Sequence, residues 1–90
     1  MRTKTQDPKY DIEDGRLINA ATGEPIPDDE PVFIMRAKDR RAAVTLSNYR
    51  ARCKDDQHVA AVGKRVFEFD DYAKRHPELM KEPDTTPAKA

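Results

Sequence analysis

The sequence predicts a small α+β fold: a short N-terminal β-hairpin plus one further strand, then an antiparallel two-helix hairpin, with disordered N- and C-terminal tails. Three observations carry this prediction. A turn-rich stretch around Asp14-Gly15 alternates apolar and charged residues, an apolar run follows at 32–35, and two segments with helical periodicity are separated by a short break. The chain has 90 residues, which fits one small domain, expected over residues 10–77. With 38% of its residues charged and 37% hydrophobic, its core is thin. "MRTKTQDPK" and "KEPDTTPAKA" are poor in apolar residues and collect Pro, Lys, Glu and Thr, so residues 1–9 and 78–90 are expected as disordered tails.

The first strand is expected at about 10–12, where Tyr10 and Ile12 alternate with charged neighbours. Asp14-Gly15 is a strong hairpin turn signal, because Gly tolerates positive φ without steric cost and Asp tolerates it better than most. The second strand follows at about 16–19 through Leu17 and Ile18. "ATGEPIP" reads as another turn: Gly23 permits it, while Pro25 and Pro27 fix φ and remove donors. A two-stranded hairpin alone is marginal in water, so a third strand is expected at about 32–36. Val32, Phe33 and Ile34 have the β-branched and aromatic character of strands, and Pro31 suits the first strand position.

The first helix is expected at about 40–54, capped by Asp39. Ala42, Leu46, Tyr49 and Cys53 then share its inner face, with Arg40, Arg41, Asn48, Arg50 and Arg52 outside. Asp55 or Asp56 caps the second helix, at about 56–75. Val59, Val62, Val66, Phe69 and Ala73 recur at alternating spacings of three and four, which marks a packing seam. Lys64 with Glu68, Asp70 with Lys74, and Asp71 with Arg75 are spaced for ion pairing on its outside. Gly63 weakens this helix by about 1 kcal/mol relative to Ala and suggests a close approach there. His76-Pro77 ends it, since Pro disfavours the α conformation in the residue before it.

Charge is balanced overall, with 17 basic and 17 acidic residues. That argues against a DNA-coating protein and against an acidic mimic of DNA. The balance hides a gradient: residues 36–54 hold seven basic residues and one acid, between acidic segments on either side. Pairing with those flanks is one explanation. The other is a binding surface, for which the candidates are Arg36, Lys38, Arg40, Arg41, Arg50 and Arg52. The start of a helix adds partial positive charge and free N–H donors beside four of them.

No constellation points to catalysis, to a metal or to another cofactor. Cys53 is the only cysteine, so no internal disulfide forms. Cys53, His58 and His76 lack the paired short spacings of a zinc site. Asp28, Asp29 and Glu30 lack the alternation of a calcium loop. Ser47 lies mid-helix, and a Cys53 and His58 pair needs hydrogen-bond reach and an oxyanion site that the sequence does not indicate. The three glycines are scattered, with no phosphate loop. No apolar stretch is long enough to cross a membrane or to form a signal-peptide core, so the expected compartment is the cytoplasm.

"DGRLINAATGEPIPDDEPVFIMRAKDRRAA", followed by "LSNYRARC" and a charged helix ending "HPELMKEPDT", resembles small uncharacterised accessory proteins of phages and prophages. These share an "ATGEPIP-DEPVF-x-RAKD" type of stretch and a following helical pair. The resemblance covers residues 10–84 and is most specific over 23–39. It carries no activity and no functional residues. It implies an accessory protein of a phage or mobile element, working in a bacterial host's cytoplasm. The expected function is non-enzymatic: interaction with a host or phage protein, modulating a host process, with a homodimer as a further expectation. The alternative is a nucleic-acid or nucleotide binder using residues 36–54.

Overall fold

The computed structural model describes residues 1–83. It divides into two compact units, Met1–Phe33 and the chain from Ile34 on.

The first unit is a three-stranded antiparallel sheet in the order β1-β2-β3, from β1 (Arg2–Lys4), β2 (Tyr10–Glu13) and β3 (Arg16–Asn19). Asp14 and Gly15 join β2 to β3 with φ of 52° and 74°. Both values are positive, as the tight turn that matches strand twist requires. The register sets Asp11 opposite Ile18 and Ile12 opposite Leu17. After β3, the Asn19 side chain accepts from the N–H groups of Ala21 and Thr22. Gly23 then turns the chain with φ of 77°. Residues 24–26 return along the outer edge of β3: Asn19 N–H donates to Glu24 O, and Ile26 N–H donates to Leu17 O.

Two expectations are corrected here. Residues 1–9 are not a loose tail, because Arg2–Lys4 forms the sheet's third strand. Every side chain of β1 is exposed, so no apolar pattern announces it. Its support is the ladder with β2 and one ion pair: Arg2 Nε donates to Asp11 Oδ2 at 2.8 Å, and Arg2 also donates to Ala20 O. The connection is stapled by Thr5, whose hydroxyl lies 2.7 Å from Tyr10 O, and by Asp7, which accepts from Lys9 N–H. The strand expected at 32–36 is absent; these residues are irregular. Strand propensity alone does not make a strand: the run pairs with no strand of the sheet, and residues 24–26 lie along the free side of β3.

The second unit is a helical hairpin of α1 (Ala42–Arg52) and α2 (Asp56–Arg75), which pack against each other. Asp39 does not cap α1 as expected. Its carboxylate accepts from Arg41 N–H in the turn before the helix, and Arg41 occupies the cap position with no side-chain cap bond. Asp55 does cap α2, accepting from the N–H groups of Gln57 and His58 at 2.9 and 3.1 Å. Val62 and Ala42 are buried. Val59, Val66, Phe69 and Ala73 are half-buried along the same seam. Tyr49, expected inside, is exposed.

α2 ends at His76, followed by a 3-10 turn, Pro77–Leu79. The chain then docks beside the entrance to α1. Lys81 N–H donates to Lys38 O, and Arg40 N–H donates to Lys81 O, both at 3.0 Å. Residues 78–82, expected in a disordered tail, are therefore ordered. The remainder of that expected tail from residue 84 lies outside the described residues. Among the described residues, no helix is long and apolar enough to cross a membrane.

Candidate interaction surface

The six basic candidates do not converge. Arg40 and Arg41 face the returning chain: Arg40 donates to Met80 O, and Arg41 donates to both carboxylate oxygens of Glu82 at 3.2 and 3.3 Å. Lys38 is half-buried beneath the same segment, with its carbonyl bonded to Lys81. Arg50 and Arg52 lie at the other end of α1, about 15 Å away at 1.5 Å per residue. There they complement the negative end of the helix dipole. Arg50 is not an outward-pointing residue, as its helical position suggested. It reaches back over α2, where its Nε donates to Val59 O at 3.1 Å and sits against Gly63. Arg36 is exposed.

The acidic flanks supply part of the pairing, in an arrangement the sequence did not suggest. Asp28 pairs with Arg16 at 2.9 Å, within the first unit. Glu82 serves Arg41 in the second. On α2, Asp71 pairs with Arg75 at 2.7 Å as expected, while Glu68 pairs with Arg65.

The His58 and Cys53 side chains both have partners. His58 Nε2 lies 3.4 Å from the Tyr49 hydroxyl, and the two rings meet edge to face. The Cys53 thiol instead donates to Tyr49 O at 3.3 Å. His58 is thus oriented by Tyr49, and among the described residues no hydrogen bond joins it to Cys53. Among the described residues, no group of three His, Cys, Asp or Glu side chains is placed to hold a metal ion. An open depression beneath the turn after β1 includes Asp11, whose carboxylate is already paired with Arg2.

What remains is apolar. Phe33 is 86% exposed, Ile34 79% and Val32 57%, and on α2 Phe67 is 69% exposed. Among the described residues, the buried hydrophobic ones are Ile18 in the first unit and Ala42 and Val62 in the second. Two of the three phenylalanines, Phe33 and Phe67, thus lie largely in water. Scattered apolar residues are normal on a surface; three consecutive ones are a patch. Phe33 falls in the run whose composition predicts a strand, yet its ring stands in water.

Comparison with protein-family models, with curated proteins and with solved structures finds no match to this chain.

Proposed function

We propose that this chain is a small, non-enzymatic accessory protein of a phage or mobile element that acts by binding another protein and so modulates a process in a bacterial host's cytoplasm. One observation carries the binding role: the consecutive residues Val32, Phe33 and Ile34 are exposed, and Phe67 is exposed separately on α2. A domain this size has little stability in reserve, and apolar surface left in water is recovered when a partner covers it. The resemblance over residues 23–39 supports the phage origin, and the exposed run falls within that stretch.

The test is affinity capture of the tagged full chain from a bacterial lysate at moderate salt, with and without nuclease. Wild type is compared with Phe33→Asp and Phe67→Asp. The expected result is a specific protein retained after nuclease treatment and lost with at least one substitution. Recovery that disappears with nuclease, or no specific protein at all, overturns the reading. The first of these outcomes transfers the role to a nucleic acid.

A further inference from the structure

We propose that residues 30–36 pair antiparallel with the same residues of a second copy of this chain. The inference deepens the interaction reading by naming what covers one apolar segment, and it rests on that reading. Among the described residues, Val32, Phe33, Ile34 and Met35 make no main-chain hydrogen bonds. Their N–H and C=O groups are therefore available; the side chains of Val32, Phe33 and Ile34 are exposed, and that of Met35 is half-buried. Such a segment is a template for strand pairing.

The sequence of the segment, "EPVFIMR", is complementary to itself when reversed. An antiparallel pairing centred on Phe33 sets Phe33 against Phe33, Val32 against Ile34, Pro31 against Met35, and Glu30 against Arg36. By two-fold symmetry every unlike contact occurs twice. Both ends of the pairing thus carry an acid opposite a base, and the middle is apolar throughout. Shifting the register by one residue sets Glu30 against Met35 or Ala37, and the end pairs are lost.

The hydrogen-bond alternation gives an independent check. Facing residues alternate between pairs that exchange main-chain bonds and pairs that do not. If the central Phe33 pair is of the second kind, Val32 and Ile34 exchange bonds, four in all across the two-fold. Pro31 then falls at a position that needs no donor, which is where a strand tolerates proline. Arg36 and Glu30 are both exposed and reach their partners from the edge of the ribbon. Glu30 N–H is already held by Pro27 O, and Arg36 O by Asp39 N–H. The ladder therefore stops at these residues, and their contribution comes from their side chains.

A ribbon this short buries less than a standard interface, and an isolated strand pair is marginal. The association is accordingly weak and reversible, in the range of about 0.1–1 mM. Sedimentation equilibrium of the full chain up to about 1 mM measures it. Four proteins are compared: wild type, Glu30→Arg, Arg36→Glu and the double exchange. Either single variant places like charges opposite one another at both ends, and is expected to weaken dimerisation at least tenfold. The double exchange is expected to restore it to within about threefold of wild type, with far-UV circular dichroism unchanged throughout. A monomeric wild type at the highest concentration, single variants that dimerise like wild type, or a double exchange that stays monomeric each overturns the pairing. A monomeric wild type that still captures a foreign protein through Phe33 removes the self-pairing and leaves the interaction reading. Charge-dependent dimerisation without any captured protein sustains the self-pairing and removes the foreign partner.

Discussion

Gly63→Ala tests how α1 and α2 meet. In an isolated helix the change stabilises by about 1 kcal/mol, because Gly loses more backbone freedom on folding. In this hairpin the new methyl group would lie 2.9 Å from Arg50 Nε and 3.5 Å from Arg50 Cζ. The first distance is too short, so the Arg50 side chain must move away. Its hydrogen bond to Val59 O at 3.1 Å is then stretched or lost. An exposed bond of this kind contributes about 0.5–1 kcal/mol net. The two effects oppose, leaving Gly63→Ala within about 0.5 kcal/mol of wild type. In an Arg50→Ala background nothing obstructs the methyl group, and the full gain of about 1 kcal/mol returns. Urea unfolding followed by far-UV circular dichroism on the four proteins of this cycle measures the coupling, expected at about 0.5–1 kcal/mol and unfavourable. An equal gain in both backgrounds refutes the seating of Arg50 on Gly63. A loss of more than about 1 kcal/mol from Gly63→Ala alone shows that α1 itself, and not a movable side chain, meets the methyl group.

Asp55→Ala removes both cap bonds of α2 and is expected to cost about 1 kcal/mol in the same unfolding assay, whereas Asp55→Asn retains most of the stability. Val62→Ala deletes two methyl groups from a buried position on the seam and is expected to cost about 1.5–2.5 kcal/mol, read as a lowered urea midpoint. Arg2→Ala leaves Asp11, which is nearly buried, without its ion pair. Hydrogen exchange should then speed up at the amides between β1 and β2 and stay slow between β2 and β3. Arg41→Ala breaks an exposed pair with Glu82 and should change stability by no more than about 0.5 kcal/mol, since main-chain bonds of Lys81 hold the returning segment; a larger loss would place the docking energy in the side chains.

Elements whose cause is local were legible in the sequence. The tight turn requires positive φ at two successive positions and few residue pairs supply it as readily as Asp14-Gly15, so the turn could be placed where the structure has it. The α2 seam was legible because its apolar spacing admits one period, and Asp55 and Pro77 bracket the helix at both ends. Elements made by distant partners were not. Arg2–Lys4 has no apolar alternation; it becomes a strand because Asp11 and Ala20 offer Arg2 its bonds. Asp39 has the chemistry of a cap, but Lys81 pairs with the chain at that point, and α1 begins after it. The basic candidates were visible as a run of charge, yet Arg50 crosses to α2 while Arg40 and Arg41 turn to residues more than 35 positions away.

The sequence alone determined the class of fold, the hairpin turn, both helices and the end of α2, since each follows from backbone stereochemistry or periodicity within a few residues. The tertiary structure decided the third strand, the partners of the arginines and the exposure of Val32, Phe33 and Ile34. Their composition is that of a buried strand. Whether such a run is buried depends on partners far from it in the sequence, and no local pattern records those.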